Sequence, residues 1–204
     1  MSQGRIEVIA GGMFSGKTEE LIRRAKRAKL AALKVMCFKH SHDVQRYGAE
    51  GLASHSGQHT MAIATATADQ ILACIGQEIA EGSGAPHVVC VDEAQFYDDG
   101  IIKVGEHLSE RGVRVIFAGL DMTSEGQPFG PMPLLMAISD DVFKPHAVCM
   151  VCGADATHSF HKAGKQDEVE VGADTYEARC RYHWNEGRKA LYHKNEGLQP
   201  TAEE

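Results

Sequence analysis

Three features of the sequence predict an α/β fold in which helices flank a parallel sheet, followed by a small metal-binding domain. A glycine-rich loop at residues 11–18 lies between an apolar, strand-like run and a helix-like run. A second apolar run, at 88–91, is followed by two acidic residues. Cysteines and one histidine then form two closely spaced pairs between 149 and 183. Alternating strands and helices build parallel sheets that bind ligands at the carboxyl ends of their strands.

The glycine-rich loop reads G-x-x-x-x-G-K-T, the P-loop that cradles nucleotide phosphates. It stands between a predicted strand at 6–10 and a helix predicted from 18 to about 32, typical of a P-loop (RecA-like) fold. Glycines let the backbone approach an anion closely, and the positive end of the helix points at it. The lysine would reach the β- and γ-phosphates, and the threonine would bind Mg²⁺. The predicted ATP-binding residues here are Gly11, Gly12, Met13, Phe14, Ser15, Gly16, Lys17 and Thr18.

The remainder of the first 141 residues continues this alternation and is predicted to form one domain. The run 34–39 predicts a second, parallel strand. The stretch 40–60 lacks apolar periodicity and predicts a mobile loop. A short strand, a helix, a buried strand, a helix, a buried strand, an irregular loop and a short helix are then predicted at 61–64, 68–81, 88–91, 100–111, 113–121, 123–133 and 134–137.

The strand at 88–91 is predicted to deliver Asp92 and Glu93 to the ligand-binding edge of the sheet. Beside a P-loop, Asp92 is the natural partner of Mg²⁺, the carboxylate usually called Walker B. Glu93 could act as the base for a substrate hydroxyl, or it could activate water as in ATPases. Because no T-K-x-D or N-K-x-D motif is present to recognise guanine, a GTPase is disfavoured.

The block 142–193 differs in character and predicts a zinc-ribbon-like domain, with a disordered tail at 194–204. Two pairs with C-x-x-C and C-x-x-H spacing can share one tetrahedral Zn²⁺. With four protein ligands the metal would be structural. The predicted ligands are Cys149, Cys152, Cys180 and His183. The other three cysteines, Cys37, Cys74 and Cys90, are expected to be small core residues.

Composition narrows the classes of protein that need to be considered. With 204 residues, 43% of them hydrophobic, the chain can bury one main core and carry a small appendage. Its formal net charge of −7 disfavours broad capture of nucleic acid, and the basic stretch 23–29 is expected to be a solvated helix face. No apolar run approaches the ~18 residues of a spanning helix, so a cytoplasmic protein without a membrane partner is expected.

Taken together, the motifs resemble type II thymidine kinases, the bacterial and cytosolic vertebrate type. The resemblance rests on the P-loop, D-E-A-Q-F at 92–96, P-F-G at 128–130, the cysteine and histidine set, and V-E-V-G-A-D-T-Y at 169–176. It covers about residues 4–192 and implies transfer of the ATP γ-phosphate to the 5′-hydroxyl of thymidine, and usually of deoxyuridine. It further implies a homotetramer that thymidine triphosphate inhibits by feedback.

The resemblance also implies a role for individual residues. Glu93 would be the general base, worth about 10²–10⁴ in rate, and Arg46 would stabilise charge near the phosphates. Further ATP-binding residues would be Asp92, Glu93, Ala94 and Gln95. A loop at 171–176, here called the lasso, would hold the thymine base, largely through backbone groups. The residues implied to bind thymidine are Met13, Phe96, Leu120, Val171, Gly172, Ala173, Asp174 and Tyr176.

Two positions depart from the family pattern. His183 stands where some members have a fourth cysteine, and histidine is also a sound zinc ligand. The lasso has V-G-A at 171–173 where members often have one more residue, as in V-I-G-G.

Two other functions remain open. A RecA-like ATPase or motor, in which Glu93 activates water, would hydrolyse ATP in response to nucleic acid and ignore nucleosides; the acidic charge and small size disfavour it. In a non-catalytic zinc-ribbon binding protein, Lys17 and Asp92 would have no purpose. The ribbon also lacks the dense basic and aromatic face that such a module needs.

Overall fold

A computed structural model of the chain describes residues 4–42, 52–53, 59–164 and 175–195. Four sets of predictions lie outside these residues: Arg46, most of the 40–60 loop, the lasso residues 171–174 and the tail from 196 onward. No helix in the described ranges is both long enough and apolar enough to cross a bilayer.

A parallel sheet of six strands forms the centre of the molecule, and it confirms the predicted α/β fold. Its strands are β1 Arg5–Ala10, β2 Val35–His40, β5 Ile63–Thr65, β6 Val88–Asp92, β7 Arg114–Gly119 and β8 Asp141–Phe143. Their order across the sheet is β5-β2-β6-β7-β1-β8, and each neighbouring pair is parallel. Two short strands, β3 Leu52–Ala53 and β4 His59–Thr60, pair separately. The carboxyl ends of β1, β6 and β7 therefore meet at one edge.

Helices cover both faces of this sheet. Helix α1, Lys17–Leu30, packs Leu21 and Ile22 against one face, where Ile9 and Cys90 are buried. Helices α2 Ala68–Ala80, α3 Gly100–Glu110 and α4 Met132–Ile138 lie in the cluster of the other face. Successive residues of a strand point to opposite faces, which is why Val8 and Ile9 belong to different clusters. Burial of each large aliphatic side chain contributes about 1.5–3 kcal/mol.

Three boundaries differ from the sequence prediction. The edge strand β8 was not predicted, because three exposed residues are too few for a periodic signal, and it extends the sheet two residues past the expected domain boundary at 141. Helix α4 starts at Met132, inside the predicted loop, since a proline is tolerated in the first helical turn. The last helix reaches Asn195, so two residues assigned to the tail are helical.

The segment after β8 forms small antiparallel ribbons and a helix. Its elements are β9 Ala147–Val148, β10 Asp155–Ala156, β11 His158–His161, β12 Tyr176–Arg179 and α5 Arg181–Asn195. Strand β9 pairs with β10, and β11 pairs with β12. Trp184 of α5 is 6% exposed and donates its indole N–H to the carbonyl of Ser124, 3.0 Å away. This contact ties α5 to the loop that follows β7.

The buried carboxylate of Glu7, on β1, is surrounded by three arginines. Glu7 is 1% exposed and accepts hydrogen bonds from Arg114 at 2.6 and 2.8 Å and from Arg24 at 2.6 Å, and it pairs with Arg5. Burial alone would raise the pKa of Glu7, but the Arg114 and Arg24 guanidinium groups lower it by more. Arg24 is thus an exception within the basic stretch 23–29, in which Arg23 is exposed as expected.

All six cysteines are free thiols. Cys37 and Cys90 are buried opposite each other on β2 and β6, as expected for core residues, and Cys74 is half-buried on α2. No disulfide contributes to the fold of the described residues.

Candidate active site

The P-loop makes a compact turn between β1 and α1. Gly16, the residue before α1, has φ 82° and ψ 22°, in the left-handed region that glycine adopts at little cost. Ser15 Oγ and Lys17 Nζ each donate to the carbonyl of Gly12, at 2.8 Å in both cases. No side chain among the described residues caps the helix start, so its first backbone N–H groups remain available to an anion.

The segment after β8 packs directly against this loop. A Cβ on Gly11 would lie 2.8 Å from the carbonyl oxygen of Pro145, closer than real Cβ contacts allow. The backbone N–H of Met13 donates to Ser159 Oγ on β11 at 3.0 Å. The conformation of the P-loop therefore depends on residues more than 130 positions away in the sequence.

Asp92 ends β6 beside the P-loop. Its Oδ2 accepts a hydrogen bond from Thr18 Oγ1 at 3.0 Å, and its Oδ1 accepts the backbone N–H of Glu93 at 3.0 Å. Burial, together with the neighbouring Glu93 charge, raises the pKa of Asp92 to about 7. Burial lowers the pKa of Lys17, while the Glu93 and Asp92 carboxylates oppose that effect. A hydroxyl and a carboxylate in contact offer the hard oxygen ligands that Mg²⁺ prefers.

Glu93 occupies an unusual backbone conformation next to Asp92. Its φ of 54° and ψ of 41° lie in the left-handed region, which is uncommon for a residue with a side chain and often marks a functional position. A 3₁₀ turn, Ala94–Phe96, follows at once. Within it, Gln95 Nε2 donates to Glu93 Oε2 at 2.5 Å.

Aromatic rings collect at the same edge of the sheet, around Phe96. The half-buried Phe96 ring lies edge-on to Phe129, with centroids 5.6 Å apart, and stacks with His42 at 5.0 Å. His40 lies 5.8 Å from the same ring. A partly exposed aromatic face of this kind can stack with a planar base.

The structure describes only some of the other residues implied to bind thymidine. Met13 lies in the P-loop, and Leu120 follows β7, so both share the edge that carries Phe96. Tyr176 opens β12, with its ring 5.0 Å from His161. Residues 171–174 and Arg46 lie outside the described part of the chain, so the structure does not place them.

The four predicted metal ligands come together in the small domain. Cys149 Sγ and Cys180 Sγ lie 3.8 and 3.2 Å from His183 Nδ1, and Cys152 Sγ lies 3.9 Å from Cys180 Sγ. All four ligand atoms lie within 4.8 Å of one another. Tetrahedral zinc–sulfur bonds of about 2.3 Å place neighbouring sulfurs about 3.8 Å apart, so the cluster fits one metal ion.

Backbone geometry prepares one of these sulfurs to bind a metal. Burial raises the pKa of the Cys149 thiol, but the backbone N–H groups of Cys180, Val151 and Cys152 lower it by more, to about 6. Because the thiolate is the form that binds metal, this cluster suits a cation with sulfur and nitrogen ligands.

Sequence reasoning did not identify three residues at the nucleotide side as functional, namely Asp121, Lys144 and Ser159. Asp121 follows β7, is 4% exposed, and pairs through Oδ2 with Lys144 Nζ at 2.8 Å. Its Oδ1 is buried and has no hydrogen-bond partner among the described residues. Asp121 could have been identified from the sequence, because it is an acidic residue at the end of an apolar run, as Asp92 is. Ser159 carried no sequence signal, because only the fold brings it to the P-loop.

Comparison with known proteins agrees with this arrangement. The family model for thymidine kinase matches residues 4–184. A thymidine kinase of Bacteroides thetaiotaomicron is 48% identical over 181 residues, covering 88% of this chain and 86% of that protein. Thymidine kinases of Bdellovibrio bacteriovorus and Porphyromonas gingivalis are 42% and 46% identical, covering 90% and 88% of this chain and 86% and 84% of their own. The chain therefore belongs to the thymidine kinase family of ATP-dependent phosphotransferases.

Proposed function

We propose that this chain transfers the γ-phosphate of ATP to the 5′-hydroxyl of thymidine, and of deoxyuridine, in deoxynucleoside salvage. One observation carries this proposal more than any other. The P-loop, the bonded pair Thr18 and Asp92, and the Glu93 carboxylate share one edge of the sheet with the half-buried Phe96 ring. That edge combines a phosphate site with a face on which a base can stack.

ATP would be held mainly by the P-loop. The unpaired N–H groups at the start of α1 would bind the phosphates, and Lys17 would turn from the Gly12 carbonyl to the β- and γ-phosphates. Thr18 and Asp92 would hold Mg²⁺ through their side-chain oxygens. When bound, Mg²⁺ would neutralise charge that develops on the transferring phosphoryl group.

Glu93 would act as the general base. It would accept the proton of the nucleoside 5′-hydroxyl as that oxygen forms a bond to the γ-phosphorus and the bond from phosphorus to the β-γ bridging oxygen breaks. The products would be the nucleoside monophosphate, ADP and a protonated Glu93, which returns its proton to solvent. Groups in this role contribute about 10²–10⁴ in rate.

Phe96 would stack on the thymine ring, and Met13 and Leu120 would line the side of the base that carries the methyl group. The lasso residues Val171, Gly172, Ala173, Asp174 and Tyr176 would hold the base, and Arg46 would contact the phosphates. These assignments rest on the family resemblance and on the position of the described members at the sheet edge.

The cysteine and histidine cluster would bind a structural Zn²⁺. Four protein ligands at tetrahedral spacing leave no open position for water or substrate. The metal would anchor the ends of the segment that contains the lasso. A cytoplasmic location, a homotetramer and inhibition by thymidine triphosphate are further proposals that rest on the family alone.

The deciding experiment measures phosphate transfer from ATP and Mg²⁺ to a panel of deoxynucleosides, with a control that lacks any acceptor. Product from thymidine and deoxyuridine, with little from deoxycytidine or purine nucleosides, would support the proposal. Hydrolysis without acceptor preference would overturn it and make Glu93 a water activator, as in an ATPase.

A substitution tests the role of Glu93 within the same assay. Glu93→Gln should lower kcat by the 10²–10⁴ range expected of a general base, while ATP affinity changes little. An unchanged kcat would remove Glu93 from the mechanism.

A further inference from the structure

Gln95 is a buried amide with both ends bonded. Gln95 is 3% exposed. Nε2 donates to Glu93 Oε2 at 2.5 Å, and Oε1 accepts the backbone N–H of Leu120 at 3.0 Å. Through this one side chain, the carboxylate that follows β6 is linked to the end of β7.

The chemistry of these contacts determines which way the amide faces. The backbone N–H of Leu120 can only donate, so it must meet the oxygen of Gln95. The NH₂ group therefore faces Glu93, where it can bond only to an accepting oxygen.

Two glycines shape the slot around Gln95. A Cβ on Gly119 would lie 2.7 Å from Gln95 Oε1. A Cβ on Gly130, whose φ is +47°, would lie 2.2 Å from the backbone oxygen of Gln95. The close approach of Gly119 therefore confines the side-chain amide, and that of Gly130 confines the backbone of Gln95.

We propose that Gln95 is a positioning residue that holds the Glu93 carboxylate toward the acceptor hydroxyl, in place of the ATP contact that the family resemblance implies. Both ends of this buried amide are engaged, one by Glu93 and the other by the Leu120 N–H. The hydrogen bond from Gln95 Nε2 fixes the direction in which Glu93 Oε2 lies. This inference rests on the proposed role of Glu93 as base.

Two substitutions separate the contacts of Gln95. Gln95→Glu keeps an acceptor for the Leu120 N–H but replaces the donor toward Glu93 with a carboxylate that repels it. Gln95→Met, of similar volume, removes both. Each should lower kcat by about 10²-fold, the effect of roughly 1 Å of misplacement, while the KM values for ATP and thymidine stay unchanged. Gln77→Met is the matched control, because Gln77 also donates to a carboxylate, Glu81 at 2.8 Å, but on an exposed helix face.

A double-mutant cycle distinguishes positioning from structural support. In the Glu93→Gln background there is no carboxylate to position, so adding Gln95→Met should cause no further loss of kcat. A purely structural role would lower kcat by the same factor in both backgrounds. Thermal unfolding of each variant confirms that the folded protein is being compared.

The outcomes separate failure of this inference from failure of the proposed function. If Glu93→Gln leaves kcat unchanged, Glu93 is not the base and the proposed mechanism fails first. If Glu93→Gln lowers kcat but Gln95→Met does not, or the two losses multiply, the positioning role is wrong. A raised KM for ATP with unchanged kcat would instead assign Gln95 to nucleotide binding.

Discussion

Replacing Gly130 with alanine should lower both the stability of the protein and its kcat. The residue has φ +47°, in the left-handed region, and a Cβ there would lie 2.2 Å from the backbone oxygen of Gln95. Ordinary contacts begin at 3.4 Å, so the two backbone segments would have to separate by roughly 1 Å. The segment that moves carries Gln95 and, two residues before it, Glu93.

Two costs contribute to the loss of stability. A left-handed backbone costs a residue with a side chain about 1–2 kcal/mol. Relief of a steric overlap in a packed region costs about 1–3 kcal/mol more. Together the two costs come to about 2–5 kcal/mol. For a chain of this size each kcal/mol lowers the Tm by roughly 2–4 °C, so the Tm should fall by about 4–20 °C. Displacement of Glu93 by about 1 Å should lower kcat about 10²-fold.

Gly82 provides a matched control for this experiment. Its φ is +83°, but a Cβ there would meet nothing within 4 Å. Gly82→Ala should therefore show the conformational cost of about 1–2 kcal/mol alone and full activity. Thermal unfolding and steady-state kinetics of the two variants, measured side by side, isolate the overlap with Gln95. If Gly130→Ala were as stable as Gly82→Ala and kept its kcat, the close approach at Gln95 would not matter and the reasoning would be wrong.

Three further predictions concern the charged groups and the metal. Lys17→Ala should abolish phosphate transfer while circular dichroism and Tm stay near those of the original protein; normal turnover would refute the P-loop assignment. Freshly purified protein should contain about one zinc per chain, and a chelator should lower the Tm; metal analysis that finds none would overturn the site. The folded-state pKa of Glu20 is lowered to about 2, chiefly by Arg23, and that of Glu7 is also lowered. Their stabilisation is therefore present above the ordinary glutamate pKa of 4.5 and lost as pH falls toward 2, so a free energy of unfolding that stays flat across this window would contradict the ion pairs.

The parts of the site that sequence predicted are those whose chemistry is local. The P-loop, the acidic pair Asp92 and Glu93, and the two pairs of metal ligands each lie within a few consecutive residues, where spacing alone reports the chemistry. The apolar runs that form β1, β6 and β7 were also identified, because buried parallel strands read as continuous hydrophobic segments.

The parts that sequence did not predict depend on distant partners. Strand β8 pairs with β1 across more than 130 residues and has no pattern of its own. The Lys144 partner of Asp121 and the Ser159 partner of Met13 are likewise brought near only by folding. Gln95 was identified as part of a motif, but its bonds to Glu93 and Leu120 could not be predicted from that motif.

Contacts between residues that are far apart in the sequence join the small domain, which carries the cysteine and histidine cluster, to the nucleotide site. Ser159 Oγ accepts a hydrogen bond from the Met13 N–H, and the carbonyl oxygen of Pro145 lies close to Gly11. The P-loop is therefore supported by residues just before and just after the pair Cys149 and Cys152. Trp184, next to the ligand His183, bonds to Ser124 beyond β7. A metal that organises residues 149–183 would therefore also stabilise the conformation of the P-loop. It follows that loss of the metal should weaken ATP binding as well as stability.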